Sequence, residues 1–486
     1  MIDFSRITKP SLIYKGFYGY VALALRYIYF RRFRVVGRKN IPSDKKEGFL
    51  LICNHQLGLL DALCIIFSVA PREPVFLARG DIFEKPALAR LLLSLRIMPA
   101  YRKRDVGVEG LDKNDEVFQQ SIKLMDQGVV IALFPEAGHQ SHHYLGTFKK
   151  GFARIAFGYE EACDFARDLK ILPLGHHYTG YSGIQNDVLF SIGEPFTFAD
   201  LYDTYKEHPE RARYLLTKRA REKVEALMFN VEDPDNYEAV EQLCQMYVPL
   251  YEQRNSLKRG DLRNDLAAKQ ELNAILRSVS YGREVVPPTQ DAPGEDAEAI
   301  EETPVAEAPQ EEDVAKRHLV ENLIQKARSY MENLKVLRLN DHIVARASTL
   351  GFVSRTILWI LLLPVFAISA IINFVPQTIS VAVSRKSRDK MLVHSLKFGV
   401  GLIAFLVWYL ILFALIWIVT HKFWIALLSL IAMPVTMLVY HHLRVLSKRL
   451  VMRLRKYRYA VRRNPLFSAT RRLRRSIISD LKKLTK

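Results

Sequence analysis

The chain has 486 residues and carries 70 Lys+Arg against 51 Asp+Glu, a formal charge of +19. That length accommodates a cored catalytic domain plus membrane segments, and the basic balance narrows the partners to nucleic acid, anionic lipid or an anionic substrate. Residues 441–486 hold 16 Lys/Arg and one acid, Asp480, which is +15 of the total, and they follow the longest apolar run, so anionic headgroups fit this tail and nucleic acid is set aside.

The first stretch, 1–42, mixes Tyr, Phe, Leu and Lys/Arg. It is too interrupted by charge and glycine for a span and reads as an amphipathic interfacial helix, with Arg31–Arg34 snorkelling toward headgroups; an ordinary packing helix is the alternative. MIDFSRITKP also lacks the uninterrupted apolar core of a signal peptide.

Residues 43–282 read as a globular domain. Candidate strands are Phe49–Cys53, Pro74–Leu77, Val129–Phe134, Lys170–Pro173 and Val188–Ile192. Candidate helices are Leu59–Ala70, Lys85–Leu95, Asn114–Gln127, Phe148–Phe157 and Ala212–Phe229. The alternation predicts an α/β fold, a mixed sheet with packed helices. The cysteines, Cys53, Cys64, Cys163 and Cys244, form no CxxC pair, so neither a zinc site nor a disulfide framework is indicated and a reducing compartment fits.

Residues 283–316 have no basic residue between Arg283 and Lys316 and are rich in Pro and acid, which predicts a disordered linker. Helical periodicity returns over 317–356. Within 357–440, the clean apolar runs 398–420 and 423–440, separated by His421 and Lys422, predict a transmembrane helical hairpin. The run 357–375 carries Pro364 and Asn373. The basic tail and the loop holding Arg385, Lys386, Arg388 and Lys390 should both be cytoplasmic. A full third span would then put the N-terminal domain outside, so 357–375 is read as re-entrant or interfacial, broken at Pro364.

Four motifs carry candidate chemistry. Asn54-His55-Gln-Leu-Gly-Leu-Leu-Asp61 follows an apolar strand and opens a helix. His55 and Asp61 can form a dyad in which the carboxylate fixes the imidazole tautomer and the other nitrogen takes a proton from a hydroxyl. Six residues do not stack on a helix, so His55 must precede it, with Gly58 allowing the bend; a capping His and a surface Asp are the alternative. In Arg96-Ile-Met-Pro-Ala-Tyr-Arg102-Lys-Arg-Asp105, Arg102 could clamp a phosphate. Phe134-Pro-Glu136-Ala-Gly138-His139 ends a strand, and Phe148-Lys149-Lys150-Gly151 opens a helix whose N–H groups attract phosphate. Ile171-Leu-Pro-Leu-Gly-His176-His177-Tyr178 begins as a buried strand. Its histidines, and His139, His142 and His143, lack metal-ligand spacing and are read as non-ligands.

In this order the motifs resemble the glycerolipid acyltransferase superfamily, which acylates glycerol-3-phosphate and 1-acylglycerol-3-phosphate. The resemblance covers about Arg34 to Tyr178, and less clearly onward to Arg254. There are departures: five residues separate His55 from Asp61 where four are commonest, Ala137 replaces a Gly, and His139 stands where many members have Arg. The longer gap looks like the branch of fungal-type glycerol-3-phosphate/dihydroxyacetone-phosphate acyltransferases, which also have membrane segments after the catalytic domain. The resemblance implies a fatty acyl transfer from acyl-CoA or acyl-carrier protein, with His55 as general base and Asp61 orienting it. Arg102, Glu136, Gly138 and Lys149 would position the acceptor phosphate, and no metal or prosthetic group is called for. Another lysolipid, such as an aminolipid precursor, is an alternative acceptor. An inactive membrane scaffold and a lipid-tethering protein driven by the basic tail are the non-enzymatic alternatives.

Overall fold

In Phe49-Leu-Leu-Ile-Cys53, Leu50 and Ile52 enter one apolar layer while Phe49, Leu51 and Cys53 enter another, all with no solvent exposure. A strand apolar on both faces belongs inside a sheet covered on both sides. The computed structural model describes residues 7, 12–101, 113–136, 138, 142–181, 184–280, 311–345, 349–387 and 393–485. Its strands are β1 (Phe30–Val36), β2 (Leu50–Cys53), β3 (Val75–Arg79), β4 (Ile97–Ala100), β5 (Ile131–Leu133), β6 (Ile171–Tyr178) and β7 (Asn186–Ile192). They form one sheet in the order β1-β7-β6-β2-β5-β3-β4. Neighbours are parallel except β6 and β7, so the sheet is mixed, as expected.

Around it lie α1 (Leu12–Leu23), α2 (Leu59–Ser68), α3 (Pro86–Ser94), α4 (Lys113–Asp126), α5 (Gly151–Ala162) and α6 (Pro209–Glu225). The apolar faces of α4, α5 and α6 share a core with Leu50, Ile52 and Ile131. On the opposite face α2 buries Leu60, Leu63 and Cys64 against Leu51, Cys53 and Leu172.

The sheet belongs to a compact unit made of Met1–Asn230 and Ile379–Ile403. A second unit comprises Val231–Thr378 and Ala404–Lys486. The other long helices among the described residues are α7 (Tyr237–Arg254), α8 (Leu262–Ser280), α9 (Glu311–Leu337), α10 (Thr349–Leu361), α11 (Leu363–Arg385), α12 (Val393–Thr420), α13 (Phe423–Val461) and α14 (Pro465–Leu484). In the second unit α7, α8, α9 and α14 pack together, burying Leu243, Leu272, Leu323 and Ile477. Lys326 of α9 meets Asp480 of α14 at 2.7 Å, and Arg474 of α14 holds Asp341 at 2.7 Å. Among the described residues, α11, α12 and α13 are long and apolar enough to cross a membrane.

Several sequence-based boundaries move. The stretch 1–42 is not one interfacial helix: α1 gives way to a π-helical turn, Ala24–Tyr29, and then to strand β1. Arg31 and Arg32 do not snorkel; both engage the buried carboxylate of Asp187 on β7. The expected domain 43–282 differs from the compact unit, which starts earlier, stops at Asn230 and gains 379–403. Of the expected linker 283–316, residues 283–310 lie outside the described residues and 311–316 begin α9. The expected element 357–375 is divided at Leu362, two residues before Pro364, between α10 and α11. The predicted hairpin corresponds to α12 and α13, but α13 runs on to Val461, so the basic tail continues a helix.

Candidate active site

Strands β2 and β5 are parallel neighbours, and the first and third motifs leave their carboxyl ends side by side. Binding sites of open α/β sheets lie at such ends. After Cys53 the chain makes a turn whose bend falls at Gly58, with φ 61° and ψ −124°, a conformation that a side chain disfavours. Asp61 sits in the first turn of α2, where the helix dipole favours a carboxylate.

His55 Nδ1 lies 2.9 Å from Asp61 Oδ2. The backbone N–H groups of Gln56 and Leu57 donate to the same oxygen, each at 2.8 Å. The other oxygen, Oδ1, accepts the Tyr178 hydroxyl at 2.7 Å and has His176 Nε2 at 3.4 Å. Asp61 is wholly buried. Burial pushes its carboxyl up, but His176, the His55 hydrogen bond and Tyr178 outweigh burial and hold it well below the usual carboxylate range. His176 is itself lowered to about 4, by burial against the pull of Asp61, so it is neutral at physiological pH. Its Nδ1 lies 3.3 Å from the Cys53 thiol, which burial keeps protonated. The same thiol has Asn54 Oδ1 within 3.6 Å as an acceptor.

Phe134 stacks on the His55 ring, with centroids 3.9 Å apart and planes 17° from parallel. The Glu136 carboxylate bridges two loops: Oε1 accepts the His55 backbone N–H and Oε2 the Gly146 N–H, both at 2.7 Å. A Cβ on Gly146 would stand 2.8 Å from Oε2, so a side chain there would push the Glu136 carboxyl aside. Burial pushes Glu136 up to about 8, against the lowering effect of these two bonds. The Lys149 N–H donates to the Pro135 carbonyl at 2.8 Å, which ties the third motif to the start of α5, and the Lys149 side chain is exposed. Gly138 has open space where a Cβ would stand.

The first and third motifs thus converge. Arg102, Ala137 and His139 lie outside the described residues. Arg96, which opens the second motif, serves the fold: its guanidinium is buried and donates to the carbonyls of Ile7 and Glu73. His143 bonds the Tyr181 hydroxyl at 2.7 Å and packs near His177, ring centroids 4.8 Å apart. Sequence reasoning missed Tyr178 as a partner of Asp61. The available signal was its i, i+2 relation to His176, which puts both on one face of β6. The amide of Gln56, buried beside the dyad, has no hydrogen-bond partner among the described residues.

Residues 32–176 match the family model described as Acyltransferase. The match runs from β1 into β6 and encloses His55, Asp61, Glu136 and Lys149. No curated protein sequence matches the chain. Among solved structures, the 1-acyl-sn-glycerophosphate (LPA) acyltransferase PlsC from Thermotoga maritima is 20% identical over 44% of this chain and 80% of its own, with a TM-score of 0.31. That superposition is too loose to transfer residue roles.

Proposed function

We propose that the acyltransferase domain of residues 32–176 moves a fatty acyl group from a thioester, acyl-CoA or acyl-carrier protein, to the hydroxyl of glycerol-3-phosphate or 1-acylglycerol-3-phosphate. The observation that carries this reading is the His55 Nδ1–Asp61 Oδ2 pair at the carboxyl end of β2. Asp61 keeps the proton on Nδ1, which makes Nε2 the base. Nε2 takes the proton of the acceptor hydroxyl as its oxygen bonds to the thioester carbonyl carbon. The tetrahedral adduct collapses, the carbon–sulfur bond breaks, and the proton on Nε2 passes to the leaving thiolate, so ester and thiol are formed and His55 is restored. Phe134 holds the imidazole plane, and Glu136 fixes the backbone of His55. Lys149, Arg102 and the backbone at Gly138 are assigned to the acceptor phosphate.

The sheet unit includes the end of α11 and the start of α12, so it lies on the side of the basic loop that joins them. Positive-inside bias makes that side cytoplasmic. If α12 and α13 each cross, the tail returns to the same side. Because α14 pairs with α9 and Asp341, these are cytoplasmic too. The segment 349–385 then starts and ends on one face, which supports re-entry rather than a third crossing. The membrane-proximal part of the basic tail would meet anionic lipid there.

The test is acyl transfer by detergent-purified full-length protein, wild type beside His55→Ala. Labelled acyl-CoA and acyl-carrier protein are each offered with glycerol-3-phosphate, 1-acylglycerol-3-phosphate and a lysoaminolipid. Product should form from a glycerol-phosphate acceptor and fall by roughly 100- to 10,000-fold in His55→Ala. Undiminished turnover in the variant removes His55 as the base; product from the aminolipid alone changes the acceptor class.

A further inference from the structure

Between the two members of the dyad lies the turn Gln56–Leu60, and one of its contacts comes from more than 330 residues away. Ser395, in the first turn of α12, is buried at 5% exposure. Its hydroxyl donates to the Leu57 carbonyl at 2.8 Å and accepts the Leu59 N–H at 3.1 Å. These are the backbone groups on either side of Gly58, the residue that makes the bend. Leu57 is consequently held twice, its N–H by Asp61 and its carbonyl by Ser395.

The seating is specific although α12 is apolar nearly throughout. Phe398 packs edge-on against Tyr29 with centroids 4.9 Å apart. A Cβ on Gly399 would reach Leu59 Cδ2 at 3.8 Å, so the helix passes close to the turn. The carbonyl of Leu402 accepts the Tyr20 hydroxyl at 2.8 Å. Positions 395, 398, 399 and 402 form one helix face, and on that face Ser395 supplies the hydrogen bonds to the dyad turn.

We propose that Ser395 is a positioning residue for the acyl transfer reaction: a helix long and apolar enough to cross the membrane completes the His55–Asp61 turn through this one hydroxyl. The inference rests on the reading of the dyad given above. Neither bonded atom is a reacting group, so the effect is on the alignment of His55 with its substrates rather than on substrate binding. Small misplacements of a base cost rate more than affinity.

The test uses the full-length protein in detergent or bilayer discs, with Ser395→Ala, Ser395→Thr and Ser395→Val, the last nearly isosteric with threonine. Threonine keeps the hydroxyl and valine does not. Two readouts are taken: kcat and KM for acyl-CoA and acceptor, and deuterium uptake of the peptide covering residues 54–61. The alanine and valine variants should lose about 10- to 100-fold in kcat with both KM values within about twofold, and their 54–61 peptide should exchange faster. Threonine should restore both readouts. Wild-type kcat or unchanged exchange in the folded alanine and valine variants overturns the proposal. So does failure of both to fold while threonine folds, because the hydroxyl is then a general structural group. If instead His55→Ala is fully active, the site reading fails, whereas the exchange data still report whether Ser395 holds the turn.

Discussion

At the scale of single residues, the site depends on one buried carboxylate that serves five groups. Tyr178 and His176 reach Asp61 from β6, His55 from the turn, and two backbone N–H groups complete the set. Tyr178→Phe removes one donor without changing the packing. A hydrogen bond to a charged group contributes about 1.5–3 kcal/mol, so kcat should fall roughly tenfold or more. The sign with pH follows from linkage. The folded-state carboxyl sits below its unfolded value, so its contribution to stability is present above the unfolded pKa and is lost as pH falls through the folded one. Losing the tyrosine raises the folded value, so the variant should unfold at a higher pH on acid titration, followed by hydrogen-exchange protection of β2 and β6. An acid midpoint equal to wild type would mean that Tyr178 does not stabilise the charge. The sequence disclosed His55 and Asp61 because they lie within one short motif. It could not disclose the bond from Tyr178, which lies 117 residues on in the chain.

At the scale of elements, the readable strands were those with unbroken apolar runs, such as β2 and β5. Strand β1 was misread because Phe-Arg-Arg-Phe-Arg puts three arginines into seven residues; at the sheet edge Phe30 packs inward, while Arg31 and Arg32 find Asp187. Strand β4 is only four residues long and contains a proline, too short to leave a period. The Glu136 brace joins two loops and makes a different pH prediction from Asp61. Its folded value, about 8, lies above the unfolded one. The native state therefore binds the extra proton between them, and stability should decline as pH rises from about 4.5 to about 8. Glu136→Gln cannot ionise, so thermal unfolding across that window should show a shallower decline than wild type. Equal slopes would assign the pH dependence to other groups.

At the scale of the whole molecule, the parity of crossings is open to direct measurement. Cysteines replace Val336, Lys386 and Lys422 one at a time in sealed vesicles, with Cys163 changed to Ser, and are challenged with a membrane-impermeant maleimide. Positions 336 and 386 should react from one face and 422 from the other. Reaction of 336 together with 422 would make α11 a true crossing. The long apolar helices were legible because apolar length is a local property, and re-entry of 357–375 was read from the placement of basic residues; the pairing of α9 with α14 was not legible, because those segments are distant in the chain. The length of α13 carries a further consequence. At 39 residues it extends about 58 Å, while the hydrocarbon core is about 30 Å thick. Standing upright, it would be a mast rising roughly 25 Å clear of the bilayer, with its arginines spaced along its height. Charges farther than about 8 Å from the headgroups are largely screened at physiological salt. Only the lowest rungs, near Arg444, Lys448 and Arg449, would then feel the lipid charge; higher up, Arg455 and Lys456 are turned inward to the carbonyls of Arg338 and Ile343, which leaves Arg458 facing whatever is dissolved in the surrounding water.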